Sequence, residues 1–251
     1  MHLRISKLRI SAIPNVLRIC ILRPENDTAV TLGDPLQEDK TMGNAEAFWD
    51  GIAGKYAKSP IKNQEGYEYT LNRTRSYLKA DDKVLEIGAG TGSTALLLAE
   101  GVAEITATDL SDKMLDVGRE KAWNDGISNI SFERCSAEEL PKGPFDAVLA
   151  HNLLHLVEDL PGALKAAYDA LRPGGVFISK TFVKPTKGFH FKYRMMRLVL
   201  PVLQKLGKAP FVGMYSVEEF DAEIERAGFQ IIEAGHYPAK EARRYIVARK
   251  R

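Results

Sequence analysis

Three glycines alternate with other residues in the stretch VLEIGAGTGSTALLLAE, at Gly88, Gly90 and Gly92. An apolar, strand-like run precedes them, and an alanine- and leucine-rich run of helical character follows. A glycine turn joining a strand to a helix brings backbone N–H groups and the positive helix end to one place, and without Cβ atoms a ligand can reach the backbone. The chemistry suggested is therefore binding of a nucleoside-type ligand. A phosphate-cradling P-loop is excluded because no lysine closes the turn. The dinucleotide fingerprint G-x-G-x-x-G fails at its third position, where Ser93 stands. Two carboxylates flank the turn: Glu86 before it and Asp109 after the next apolar run. Asp109, when ionised, is an acceptor-only group. Further on, His151 and His155 are four residues apart, and in a helical turn they would share one face. Histidine suits general-base work near neutral pH, while a hydrogen bond in the pocket wall is the plainer role for each.

These residues need a frame, and strand and helix signals alternate from Asp82 onward. Residues 83–89, 103–110, 130–137, 145–152 and 176–182 read as strands. Residues 93–100, 111–123 and 158–175 read as helices, with Ser111 as an N-cap and Pro173-Gly174-Gly175 marking the end of the last. Such alternation predicts an α/β fold with a parallel sheet covered by helices on both faces. After a helix beginning at Ser216, the runs FQIIEAGHY and RRYIVARK are separated by only PAKEA. That linker is too short for a helical crossover, so the last pair is expected to form an antiparallel hairpin at the sheet edge.

The EIGAGTG turn with an aspartate closing the next strand closely resembles motif I of the class I S-adenosylmethionine (SAM)-dependent methyltransferases, and the likeness covers about residues 44–251. It implies a Rossmann-like, seven-stranded, mostly parallel sheet with a C-terminal antiparallel hairpin. It also implies SAM as cofactor, with Gly88, Ala89, Gly90 and Gly92 beneath it and Glu86 under the loop. Asp109 would hold the ribose, with Leu110 and Met114 beside it. In RCSAEELP, Ser136 stands where the family often has an aspartate that reads the adenine amino group; Ser136 or the Ala137 backbone, next to Glu138, would take that part. Backbone near His151 would meet the methionine end. FWDGIAGKY resembles the N-terminal helix of small-molecule enzymes related to the quinone-biosynthesis methyltransferases, in which Tyr56 would help cover the cofactor. Phe48 and Trp49 read as core anchors.

The acceptor is less legible. The Asn/Asp-Pro-Pro-aromatic motif of base-amine methylation is replaced by His151-Asn152-Leu153-Leu154, which argues against nucleic acid. The net charge of +2, from 35 basic and 33 acidic residues, gives no reason to invoke it either. Cys20 and Cys135 are too few and too far apart for a disulfide framework, a cysteine metal site or thiol-based arsenic chemistry. A small molecule, lipidic or anionic, is the expected substrate. The rivals are a SAM-binding regulatory or scaffold protein without turnover, and a nicotinamide enzyme.

Residues 187–208 contain Lys187, Lys192, Arg194, Arg197, Lys205 and Lys208 and no acid. Phe191, Met195, Leu198, Val199, Val202, Leu203 and Leu206 recur there with helical spacing, and Pro201 is expected to break or kink the helix. Three readings stand: a helix packed over the sheet edge with a solvated basic face, a lid at 187–215 over the acceptor pocket, or peripheral contact with an anionic membrane. At the other end, residues 1–23 carry five basic residues and no acid, like a transit peptide in charge, but Pro14 interrupts them and serine is scarce. Residues 1–41 are expected to be a poorly ordered extension and 42–251 the catalytic domain, with Met42 an alternative start. No apolar run nears the ~20 residues of a membrane span. A cytoplasmic location is expected, with organelle targeting or the membrane surface as alternatives. The sequence does not indicate the oligomeric state.

Overall fold

The computed structural model describes residues 35–61, 63–185, 190–237 and 242–251. Seven strands form one sheet: β1 (Lys83–Ile87), β2 (Glu104–Asp109), β3 (Ile130–Arg134), β4 (Phe145–His151), β5 (Leu171–Phe182), β6 (Phe229–His236) and β7 (Arg243–Lys250), in the order β3-β2-β1-β4-β5-β7-β6. The first five pair in parallel. β7 inserts antiparallel between β5 and β6, so the C-terminal hairpin closes the sheet as expected. The strand order reverses between β1 and β4, and the open crevice at such a reversal is where α/β sheets bind ligands.

Period-two alternation sends β1 to two cores. Leu85 and Ile87 join Val148, Ala150, Phe177 and Phe220 on one face. That face is covered by α5 (Leu160–Ala170) and α7 (Val217–Arg226) through Leu164, Ala167 and Ile224. Val84 turns the other way, toward Ala95, Leu98, Leu71 and Tyr245. There α2 (Gln64–Arg75) and α3 (Ser93–Leu98) lie over the sheet, with α4 (Asp112–Asn124) beside them, its Gly118 pressed on Phe132. Ser111 caps α4, its hydroxyl accepting from Met114 N at 3.1 Å. The cap of α7 is a full capping box between Ser216 and Glu219, and that helix needed no prompting beyond its sequence.

Two expectations change. The backbone of residues 35–41, expected to be the end of a poorly ordered extension, belongs to helix α1 (Pro35–Ala57); residues 1–34 lie outside the described residues. Helix α6 (His190–Lys205) runs through Pro201, which is exposed, so water can satisfy the carbonyl the proline leaves unbonded. Its apolar stripe is not packed on the sheet: Met195, Leu198, Val199, Val202 and Leu206 are all exposed, Leu203 is half-buried, and the Phe191 side chain lies outside the described residues. Among the described residues, no helix is long and apolar enough to cross a membrane.

Candidate functional site

The site gathers at the carboxyl ends of β1, β2 and β4. The three turn glycines all have left-handed φ, at 62° for Gly88, 55° for Gly90 and 68° for Gly92, a region costly for residues with a Cβ. Their surroundings give them different duties. A Cβ on Gly88 would come within 2.5 Å of Leu153 Cδ1, and one on Gly92 within 2.9 Å of Phe132 Cε1. Those two let helix and strand pack. At Gly90 a Cβ would meet only the edge of the Tyr56 ring, at 3.9 Å. Gly90 is therefore the turn glycine whose missing Cβ leaves its backbone open to approach, with the edge of the Tyr56 ring nearest.

Asp109, at the end of β2, is tied to that glycine. Its Oδ2 accepts from Gly90 N at 2.8 Å and its Oδ1 from Ser111 N at 2.9 Å. Burial raises its carboxyl above the ordinary range, while the N–H donors of Ser111 and Gly90 work against the shift. The Leu110 N–H is a third donor to it, so of about four lone-pair positions on the carboxylate one remains for a ligand hydroxyl. Tyr56, half exposed, borders the same space; desolvation first, then the Asp109 charge, raises its phenol.

Beneath the turn, Glu86 is buried and accepts the backbone N–H of Ala95, while its Oε2 has no hydrogen-bond partner. Burial pushes its carboxyl up to about 8, so the group is mostly protonated at neutral pH. Lys121, on α4, clasps the turn from the side, its Nζ donating to Thr91 O at 3.2 Å, Thr91 Oγ1 at 3.0 Å and Ser93 Oγ at 3.2 Å. Above, Asp50 of α1 accepts from the Ser111 hydroxyl at 2.6 Å, and Glu46 pairs with Arg134 at 2.7 Å. These contacts hold Tyr56 beside Gly90. Lys121, Asp50, Glu46 and Arg134 were not singled out from the sequence; only the fold brings them to the turn.

Of the remaining sequence candidates, Ala89 N donates to Thr108 O at 2.8 Å, fixing the turn to β2. Leu110 follows Asp109 and accepts from Arg134 Nε at 3.2 Å, and Met114 is buried under the cap of α4. Ser136, Ala137 and Glu138 are half-buried on the segment leaving β3, and the Ser136 hydroxyl accepts from Glu139 N at 3.2 Å. Burial raises the Glu138 carboxyl.

The two histidines do not share a helical face. His151 is the last residue of β4; Asn152 then turns with φ 58°, and His155 sits in a 3-10 turn, Leu154–Leu156. The turn is pinned by Asn152 N to Lys180 O (2.6 Å) and by Arg243 Nη1 donating to Asn152 Oδ1 (2.6 Å). His151 Nε2 lies 3.4 Å from Thr74 Oγ1, which is 3.2 Å from Tyr245 OH. Burial, then the nearby Lys180 ammonium, lowers its pKa to about 4. His155 is lowered to about 4 by burial and by Arg243; its Nδ1 is buried without a hydrogen-bond partner, beside Phe182. Its carbonyl accepts from Gly213 N at 2.6 Å, bringing the α7 end of residues 206–216 onto the site. Both rings are neutral at pH 7 and weakly basic, which suits them to accept a hydrogen bond more than to remove a proton. Among the described residues, no group of three or more His, Cys, Asp or Glu could hold a metal ion.

Known proteins resemble the chain in sequence and in fold. A family model described as "Methyltransferase domain" matches residues 84–175. A demethylmenaquinone methyltransferase of Tropheryma whipplei is 31% identical over 163 residues, covering 60% of this chain and 67% of the relative. The ubiquinone/menaquinone biosynthesis C-methyltransferase UbiE of Neisseria meningitidis is 30% identical over 183 residues, covering 68% of this chain and 73% of the relative. Among solved structures, a SAM-dependent methyltransferase from Thermotoga maritima superposes with a TM-score of 0.61 at 21% identity, over 82% of this chain and 99% of that one; it supports the fold alone.

Proposed function

The chain belongs to the class I SAM-dependent methyltransferases, and from that premise we propose that it methylates a hydroxylated aromatic small molecule of the quinone type. One observation carries the cofactor half of this reading: the open approach to the Gly90 backbone, bordered by Tyr56 and by an Asp109 carboxylate with one acceptor position left over. SAM, when bound, supplies an electrophilic methyl group on a sulfonium. In our reading Asp109 takes a ribose hydroxyl, the Gly88–Gly92 backbone lets the nucleoside and amino-acid ends approach, and Tyr56 covers one side. Ser136 and the Ala137 backbone, with Glu138, border the adenine end, and Leu110 and Met114 form the wall beside the ribose. Glu86 stays protonated and holds the turn from below.

On the acceptor side the relatives' named substrates support a quinone-type ring. His155, neutral and with a buried, unpartnered Nδ1, is the residue we assign to hold an acceptor hydroxyl, and His151 stiffens the pocket wall through Thr74. Methyl transfer to such an acceptor rests mainly on alignment and exclusion of water, which positioning of this kind supplies.

The test is a transfer assay with methyl-labelled SAM against a panel of demethylated quinols, simple phenols and amines. Labelled product is expected from the quinols, with little from amines. Label appearing only in amines would overturn the acceptor, while the absence of any SAM-induced thermal stabilisation would overturn the cofactor site.

A further inference from the structure

We propose that the exposed face of α6 is a docking surface for an anionic phospholipid membrane, an inference that stands apart from the acceptor assigned above. Met195, Leu198, Val199, Val202 and Leu206 fall at i, i+3, i+4, i+7 and i+11, so they form one side of the helix and its last turn. Their exposures are 44, 71, 44, 57 and 61%, and among the described residues the other exposed large aliphatic side chains, Ile61, Leu97 and Ile232, lie in other parts of the chain. A patch of this kind, concentrated on one element, marks an interaction surface.

Charge chooses the occupant. The chain as a whole is nearly balanced at +2, yet residues 187–208 hold six basic residues and no acid. Lys205 and Lys208, at the end of the stripe, are exposed. An apolar face framed by cations without any anion is the pattern of a helix lying in a membrane interface: the apolar side chains enter the acyl boundary and the cations stay among anionic headgroups. A face meant for a second copy of the same chain would carry acids to meet these cations, and this segment has none. The position suits the purpose. α6 follows β5 and leads into the segment that donates from Gly213 to His155, so a membrane under α6 lies next to the acceptor side of the site.

The test is co-sedimentation of the full chain with phosphatidylcholine vesicles, with and without phosphatidylglycerol. Binding is expected to the anionic vesicles, weakened by added salt. Leu198→Glu with Val202→Glu is expected to lower that binding more than about tenfold. The same variant should keep the thermal stabilisation given by S-adenosylhomocysteine, which shows that it folds. Lys205→Glu with Lys208→Glu is expected to reduce the preference for anionic over neutral vesicles. The proposal is overturned if the wild-type chain stays in the supernatant, or if the Leu198/Val202 variant binds as the wild type does. It is equally overturned if wild type is a dimer that this variant dissolves while neither binds vesicles. Loss of the S-adenosylhomocysteine shift in the wild type would strike the cofactor reading alone.

Discussion

At the scale of single residues the site is a set of carboxyl groups given different tasks by their surroundings. Asp109 is partly neutralised by three backbone N–H donors and borders the open Gly90 backbone. Asp109→Ala is expected to abolish the thermal shift produced by SAM, and to cost about 1–3 kcal/mol of stability because Gly90 N and Ser111 N lose their acceptor. A shift of wild-type size in that variant would remove Asp109 from the site. Glu86 is the opposite case, a buried acid whose folded pKa of about 8 lies above its ordinary value of 4.5. The folded state then holds a proton that the unfolded chain has released, so Glu86 lowers stability as pH rises from about 4.5 to 8. The slope has an upper limit of roughly 1.4 kcal/mol per pH unit. Glu86→Gln, neutral at every pH, should remove that fall, so its urea-unfolding stability relative to wild type increases as pH rises from about 4.5 to 8. The depressed His151 and His155 give both proteins the opposite trend below about 6.5. A wild-type slope retained in the variant would assign the pH dependence to another group.

At the scale of elements, helix α1 is, in our reading, the cover of the crevice. It is held by the Asp50–Ser111 hydrogen bond and the Glu46–Arg134 ion pair, and it carries Tyr56 beside Gly90. The ion pair is half exposed and contributes little; the bond to a buried cap hydroxyl matters more. Asp50→Ala is therefore expected to weaken SAM several-fold in a calorimetric titration while costing about 1 kcal/mol of stability; unaltered affinity would show that α1 is not part of the cover. The sequence made the turn and its support readable to different degrees. Gly88, Gly90, Gly92, Glu86 and Asp109 are close in sequence and constrained by local geometry, so their spacing announces them. The strand order followed from alternation, and the hairpin from the shortness of PAKEA. Lys121, Asp50 and Arg134 act across distances of 28 to 88 residues that only folding closes, and nothing in their local sequence marks them. His151 and His155 misled by their spacing, because Asn152, with its positive φ, ends the strand and breaks any helical relation between them. The apolar period of residues 191–206 gave the helix correctly but not its surroundings, since periodicity says which side is apolar and not what covers it.

For the molecule as a whole, the sheet divides into a half built around the turn and a half that supports it. β1, β2, β4, α3, α4 and α1 meet at the Gly90 turn, whereas β7 touches the site through Arg243, which bonds Asn152, and through Tyr245, which bonds Thr74. A ligand that binds the folded state alone raises global stability by mass action, about 2.7 kcal/mol at a hundred times Kd, and this gain reaches every amide that exchanges only on global unfolding. Amides that open locally report something narrower, namely which elements the ligand holds shut. The α1 helix is tethered by a half-exposed ion pair and one hydrogen bond, and the turn, though packed on Leu153 and Phe132, leaves the Gly90 backbone open, so these are the places where a ligand adds most contacts. Addition of S-adenosylhomocysteine is expected to slow hydrogen exchange most in residues 45–57 and 88–92 and at the start of α4. Exchange at the solvent-facing positions of β6 should change little. Protection confined to β6 and β7 would instead put the ligand on the far side of the sheet, and protection of 88–92 without 45–57 would leave the turn as the binding element and strip α1 of its covering role.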